Sequence, residues 1–299
     1  MLIDISVCTF RRATLFDTLT SIAEQVLPKD VALRVIVADN DDAPLLQDRI
    51  LAFANEVGLN LWYVHAPARN ISIARNACLD AAIGDALVFI DDDELADPFW
   101  IEKLVADWKT SGASVVFGPS IAVYPATAPS WMRRNDFHSN RPVRRHGIVE
   151  TGYSSNVLVD LSDSRVASCR FDTAFGRTGG EDTDFFFRLH RQGVPMTISH
   201  DATVSEPVAP TRLSFVWVLR RRYAQGAIYG SCVAPNDVGA RSRVLLGSLV
   251  KSSYCVLRAI PATTVAGSFH FWIMRSAFHA GVVSGCIAPP RRQVYGGTA

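Results

Sequence analysis

The chain lacks the marks of several protein classes at once. Its six cysteines (Cys8, Cys78, Cys169, Cys232, Cys255 and Cys286) form no CxxC pair and no Cys/His spacing that would suit zinc. That scatter argues against a disulfide scaffold and fits small core residues in a reducing cytoplasm. The N-terminus, MLIDISVCTFRR, carries its basic residues after the apolar run, the reverse of a secretory signal. Long apolar runs are missing as well. The uncharged stretch Ala259–Met274 falls short of the roughly 20 residues a membrane span needs and contains Pro261 and His270. A soluble or interfacial cytoplasmic chain is expected, peripheral at most on the inner face of the plasma membrane. Acid is nearly absent from the last third. Residues 206–299 hold eleven Lys/Arg against Glu206 and Asp237, whereas the preceding residues hold nineteen against twenty-seven acids, and the net charge of +1 hides the asymmetry. A basic, apolar tail on an acidic body expects either an anionic membrane surface as partner or a tail docked on that body. No RNA- or DNA-binding motif accompanies it, so nucleic acid is not expected.

What is present is an alternation of strand and helix patterns. The 299 residues, 48% hydrophobic, can bury one large core or a core with an appendage. Ile3–Phe10, Ala32–Ala38, Leu61–His65 and Ala86–Ile90 read as strands. Between them, Thr14–Val26 places Leu15, Leu19 and Ile22 at helical spacing, Leu45–Val57 is closed by Gly58, and Ile73–Ile83 is closed by Gly84. Strands separated by helices imply right-handed crossovers and a mainly parallel, buried sheet. In such sheets ligands bind outside the carboxyl ends of the strands. Polar clusters fall at three of those ends: Thr9-Phe10-Arg11, Asp39-Asn40-Asp41, and Asp91–Glu94 in LVFIDDDEL.

Four adjacent carboxylates repel one another, so a cation or solvent must compensate them. In an extended stretch Asp91 and Asp93 would point one way and Asp92 the other. Two hard oxygen ligands on one side suit Mg²⁺ or Mn²⁺, which takes its remaining ligands from waters and substrate phosphates. Two other readings stay open: Asp91 hydrogen-bonding a sugar hydroxyl, or a solvated helix N-terminus opening at Asp97-Pro98-Phe99-Trp100.

The segments ISVCTFRR, VIVADND, ARNISIARNACLDAAIGDALVFIDDDEL and FGRTGGEDTDFFFRLHRQG stand in the order and spacing of family-2 glycosyltransferases. Over roughly residues 3–225 the chain resembles that family, most closely the bacterial exopolysaccharide enzymes of the succinoglycan glucosyltransferase kind. The resemblance implies a GT-A fold, an α/β, Rossmann-like, mainly parallel sheet flanked by helices, over residues 1–225. A helical, basic and apolar region that could associate with membrane would follow over 226–299. It also implies an inverting transferase with a nucleotide-sugar donor, usually UDP-linked. Asp39 would read the base, Thr9 and Arg11 would line the nucleotide pocket with Asp41 and Asp92 beside them, and Arg75 would face the nucleotide. The DxD pair maps to Asp91 and Asp93, with Asp93 on the metal. DNDD replaces the common DDGS after the second strand, which leaves the base and ribose contacts less defined.

Inversion needs a base across the sugar from the metal, supplied by a distant part of the chain. The resemblance names Asp182 in GGEDTDF as that base, with Glu181 positioning the acceptor or Asp182 itself. Asp182 opens a helical pattern running to Gln192, and Asp184–Arg188 reads as an ordinary i,i+4 pair. Gly179-Gly180 would let the backbone approach a substrate closely. The acceptor would be a hydroxyl of a glycan or of a polyprenyl-diphosphate-linked sugar. Residues 118–155, with Trp131, Arg133-Arg134 and Arg144-Arg145, read as an acceptor loop or a solvated one. His200, alone at a strand end, reads as structural rather than as a ligand. WVLRRRYAQG (Trp217–Gly226) could clamp phosphates or lie on lipid, and Val244–Met274 has the composition of interfacial helices, of core packing or of a dimer contact. The alternatives in function are a sugar-nucleotide-binding protein without turnover and a Mg²⁺-dependent phosphotransferase of the haloacid-dehalogenase type. The second is weakened by Leu95, which stands where that loop wants a hydroxyl or valine.

Overall fold

A computed structural model of the chain describes residues 1–234, 236–261 and 268–288. Part of the interval 244–274 and the basic pair Arg291-Arg292 therefore lie outside the described residues. Strands β1 (Leu2–Thr9), β2 (Ala32–Asp39), β3 (Leu61–His65) and β4 (Ala86–Asp91) alternate with helices α1 (Leu15–Ala23), α2 (Gln47–Glu56) and α3 (Ile71–Ala81), close to where the hydrophobic pattern puts them. There follow β5 (Leu95–Ala96), α4 (Trp100–Ser111), β6 (Val115–Phe117), β7 (Ser120–Val123), α5 (Ser130–Asn135), β8 (Asn156–Asp160), α6 (Ser164–Ala167), α7 (Glu181–Arg191), β9 (Met196–Ile198) and β10 (Val204–Pro207). The chain then continues into α8 (Phe215–Cys232), α9 (Val238–Ala259) and α10 (Ser268–Ile287).

Seven strands form one sheet in the order β3-β2-β1-β4-β8-β6-β9. The pairs among β1 to β4 and the β6–β9 pair are parallel, and β8 runs antiparallel between β4 and β6. Because successive strand residues point to opposite faces, Ile3, Ile5, Val7, Val88 and Ile90 bury against one layer with Leu15, Leu19, Trp100 and Leu104. Ile36, Leu87, Phe89 and Val157 bury against the other with Ala74, Cys78, Phe185 and Phe186. One acid interrupts this apolar interior, and it is structural. Asp4 is fully buried, receives a two-point hydrogen bond from Arg34 (2.7 and 3.0 Å), and accepts the backbone N–H groups of Ile83 and Gly84 (2.7 Å each).

The chain divides into two compact units: among the described residues, one comprises Met1–Ile121 and Ser139–Glu206, the other Ala122–His138 and the residues from Pro207 to Ala288. A boundary at residue 225 thus falls inside the unbroken helix α8. Met132, Phe137, Val218 and Met274 form a core of their own, which joins residues 122–138 to the C-terminal helices. Local composition does not reveal that association, because the partners are far apart in sequence. Within this second unit α8 and α10 cross at very short range. A Cβ at Gly226 or Gly230 would lie 1.9 or 2.3 Å from the carbonyl oxygens of Phe278 and Val282, and one at Gly281 or Gly285 would lie 2.0 or 1.9 Å from those of Tyr223 and Ala227.

Candidate active site

The site lies in the first unit, at the carboxyl ends of β1, β2 and β4. At the end of β1, the buried Thr9 hydroxyl donates to Asp92 Oδ2 (2.8 Å). Arg11 takes a left-handed backbone conformation (φ 58°), which L side chains adopt at a cost. It makes a two-point contact with Asp41, Nε to Oδ2 and Nη2 to Oδ1, both at 2.7 Å. Those hydrogen bonds hold the Asp41 carboxyl below the usual range. At the end of β2, Asp39 is buried. It accepts the Tyr63 hydroxyl on Oδ2 (2.8 Å) and the Asp41 backbone N–H on Oδ1 (3.0 Å). Burial, and then the bond to Asp39, push the Tyr63 hydroxyl's pKa up.

At the end of β4 the chain turns at once, and the Glu94 N–H donates to the Asp91 carbonyl (3.2 Å). The expected extended alternation of Asp91, Asp92 and Asp93 therefore does not apply. Asp92 and Asp93 share one guanidinium nitrogen of Arg12 (3.1 and 2.5 Å), while Asp91 Oδ1 meets Arg75 Nη2 (3.2 Å). Glu94 is buried beneath the turn, accepting the Ser120 hydroxyl (2.5 Å) and the Asp91 N–H (3.1 Å). Burial, reinforced by the charge of Asp91, raises its carboxyl well above the normal range. Burial likewise lifts Asp92 to about 7, against the opposing pull of Arg12 and Thr9.

Helix α3 carries the link to the distant carboxylates. Asn70 caps it, accepting the N–H groups of Ser72 and Ile73. Around that cap, Asn70 Nδ2 donates to the Thr173 carbonyl (2.9 Å) and the Ser72 hydroxyl to the Asp172 carbonyl (2.9 Å). Asn76 exchanges two hydrogen bonds with the Phe171 backbone (2.9 and 2.8 Å). These bonds fix the loop that leads into Gly179 (φ 81°) and Gly180 (φ 98°), and both glycines hold left-handed backbone. Helix α7 starts there, with Glu181, Asp182 and Asp184 in its first turn, where the helix dipole favours acids. Asp184 pairs with Arg188 at 2.8 Å, as its i,i+4 spacing indicates.

The junction between the two acidic clusters is Arg75. It is buried in the sheet-facing side of α3, over the Phe171 ring, and its guanidinium reaches Glu181 Oε1 (2.5 Å) as well as Asp91. Burial alone would disfavour its charge, but the two carboxylates outweigh that. The other oxygen of Glu181, Oε2, is buried and has no hydrogen-bond partner. Asp182, half-buried beside it, is raised to about 7 by burial first and then by the charge of Glu181, with Arg75 opposing. Six carboxylates thus crowd around two guanidinium groups, Arg12 and Arg75. Such a site is short of positive charge.

Asp91 and Asp93 retain solvent access, with side chains 39% and 21% exposed. Among the described residues no cluster of three or more His, Cys, Asp or Glu side chains could by itself cage an ion. Two carboxylates with solvent access at an acid-rich strand end, unable to complete a coordination sphere alone, would suit Mg²⁺ or Mn²⁺ shared with a phosphate and do not fit a structural zinc. His200 is exposed in a turn and belongs to no such cluster.

A family model described as glycosyl transferase family 2 matches residues 4–162. The chain belongs to that family. It is 40% identical over 297 residues to the succinoglycan biosynthesis protein ExoM of Rhizobium meliloti (strain 1021), covering 98% of this chain and 96% of the relative. The glucosyl-dolichyl phosphate glucuronosyltransferase of Haloferax volcanii is 24% identical over 247 residues, 76% of this chain and 75% of that one. Two solved structures share the fold. The mannosyltransferase PcManGT from Pyrobaculum calidifontis, in complex with GDP-Man and Mn²⁺, has a TM-score of 0.60 at 15% identity, covering 93% of this chain and 86% of that one. Residues 1–349 of S. aureus TarS, in complex with UDP-GlcNAc, give 0.55 at 14% identity, with coverage of 95% and 90%. The expected sheet flanked by helices, with helices at the C-terminus, is therefore the fold found, and the chain is a glycosyltransferase. The phosphotransferase and non-catalytic alternatives fall away.

In this glycosyltransferase all of Thr9, Arg11, Asp39, Asp41, Arg75, Asp91, Asp92, Asp93, Glu181 and Asp182 belong to the first unit, Arg75 on α3 and the others at the strand ends or the start of α7. Three side chains that sequence reasoning gave no role are integral to the arrangement: Arg12, Glu94 and Tyr63. Arg12 stood in plain view in the basic pair after β1, and Glu94 was the fourth acid of the run. Tyr63 carries no local signal, because only the parallel register of β2 and β3 brings it to Asp39.

Proposed function

We propose that this glycosyltransferase moves a sugar from a nucleotide-diphosphate donor, UDP-linked, to a hydroxyl of a glycan or polyprenyl-diphosphate-linked acceptor in exopolysaccharide biosynthesis, with inversion in a single displacement. The observation that carries the reading is the Arg75 guanidinium held between Asp91 and Glu181, which draws two acidic clusters from distant parts of the chain into one site. The relatives and structural neighbours support the pathway and the donor class: succinoglycan biosynthesis for ExoM, UDP-GlcNAc and GDP-Man for the solved structures.

In this reading Asp39, fixed by Tyr63, recognises the base, and Thr9, Arg11, Asp41, Arg75 and Asp92 shape the nucleotide pocket. Asp91 and Asp93 hold Mg²⁺ or Mn²⁺, which when bound neutralises the diphosphate and makes it a better leaving group. Asp182 accepts the acceptor hydroxyl's proton as that oxygen bonds to the anomeric carbon, and the electron pair of the breaking C–O bond leaves on the diphosphate. A carboxylate raised to about 7 is a stronger base than a free aspartate and is ionised over much of the neutral range. Glu181, anchored by Arg75, keeps Asp182 in place. All six cysteines are buried and none forms a disulfide, in keeping with the reducing cytoplasm where the reading places the reaction. Asp182→Asn tests it. Nucleotide release from donor, Mn²⁺ and lipid-linked acceptor should fall by orders of magnitude while donor binding persists; turnover near the wild-type rate would remove Asp182 from the role.

A further inference from the structure

Helices α8, α9 and α10 of the second unit combine close crossings at small residues with large aliphatic side chains left exposed. Glycines line the α8–α10 crossing, and the Ser252 and Ser276 hydroxyls meet at 3.0 Å between α9 and α10. Small residues and hydroxyls at close helix crossings, with aliphatic side chains left on the outer face, recur in helices that pack beside lipid. On α9 the outward side chains include Leu246, Val250 and Leu257, 61%, 70% and 66% exposed, at spacings of four and seven residues that align them along one face. Arg243, Lys251 and Arg258 are exposed along the same helix. From Val238 to Ala288 the sequence has five Lys/Arg and no acid.

We propose that the outer face of α9 docks on an anionic lipid bilayer, its aliphatic side chains entering the boundary between headgroups and acyl chains and its cations meeting lipid phosphates. Charge decides the partner. A second copy of the same face would bring only cations against cations, and an apolar face of this size gains nothing from water. The helix lies in the interface rather than through it, because no helix among the described residues is long and apolar enough to cross a membrane. The docking is independent of donor chemistry.

Cosedimentation of the full chain with vesicles tests it, comparing pure phosphatidylcholine with an equal mixture of phosphatidylcholine and phosphatidylglycerol. The chain should partition to the mixed vesicles about tenfold more strongly at low salt, and the preference should fade as salt rises. Leu246→Ser with Leu257→Ser should cut partitioning roughly tenfold or more, and Arg243→Gln with Lys251→Gln about fivefold per charge. Nucleotide release in solution should stay unchanged in both. If the leucine pair lowers the melting temperature, the charge pair decides alone. The proposal is overturned if the chain stays in the supernatant with anionic vesicles at low salt, or if neither pair changes the partitioning. It is overturned too if sedimentation shows a dimer that the leucine pair dissolves, without vesicle binding.

Discussion

Replacing Arg75 by methionine probes the central contact directly. Arg75 and Glu181 are 8% and 9% exposed, so their ion pair is screened little by solvent. Methionine keeps most of the aliphatic bulk over Phe171 and removes the charge. Glu181 is then left with no partner on Oε1 and none on Oε2, which has none to begin with. An uncompensated buried charge of this kind costs about 3–5 kcal/mol. For a chain of 299 residues, whose unfolding entropy is about 0.6 kcal/mol/K, that corresponds to a drop in melting temperature of roughly 5–8 °C. The second variant, Arg75→Met with Glu181→Gln, removes the stranded charge and should recover much of that loss without recovering activity. A third readout separates catalysis from folding. Arg75 lowers the pKa of Asp182, so its removal should move the acid limb of the rate profile upward from near pH 7. The sign of the stability effect runs the opposite way to an ordinary paired aspartate. Asp182 is raised above its unfolded value, so the native state binds more protons and stability falls as pH rises from about 4 to about 7. An Arg75→Met enzyme that melts with the wild type and keeps its pH profile would refute the claim that this guanidinium organises the site.

Two further outcomes follow from the same geometry. Asp93→Ala should weaken donor binding and flatten the dependence of turnover on Mn²⁺, both measurable by titrating nucleotide release against metal; unchanged metal dependence would move the ion elsewhere. Glycine substitutions in the helical unit should have opposite signs. Gly281→Ala places a methyl 2.0 Å from a backbone oxygen, so the strain of overpacking, about 1–3 kcal/mol or more, exceeds the roughly 1 kcal/mol of helix propensity gained. Gly247→Ala on α9, with nothing within 4 Å, should instead stabilise by up to about 1 kcal/mol. Equal shifts in melting temperature for the two would contradict the close crossing of α8 and α10.

Much of the first unit was legible because its determinants are local. Leu15, Leu19 and Ile22 at helical spacing, and the apolar run Ala86–Ile90 ending in aspartates, need no knowledge of the rest of the chain to be read as a helix and a buried strand. The same holds for the grouping of Thr9, Asp39 and Asp91 at one edge, since parallel strands joined by crossovers put their carboxyl ends together. The local rule failed at Asp91–Glu94. There the chain turns immediately, held by Glu94 from below, and the alternation of side chains that an extended strand would give is lost. It failed again for residues 122–138, whose place beside the C-terminal helices depends on Met132 and Phe137 meeting Val218 and Met274.

By itself, then, the sequence determined the alternating elements, the acidic strand ends, the charge asymmetry of the tail and, through its motifs, the family. Tertiary structure decided which guanidinium neutralises which carboxylate, that Arg12 spans Asp92 and Asp93 while Arg75 joins Asp91 to Glu181, and that burial lifts Asp92 and Asp182 to about 7. The physical reason is range. Hydrophobic period and turn chemistry act over a few residues, whereas desolvation and the fields of neighbouring charges depend on groups that only the folded chain brings within a few ångströms.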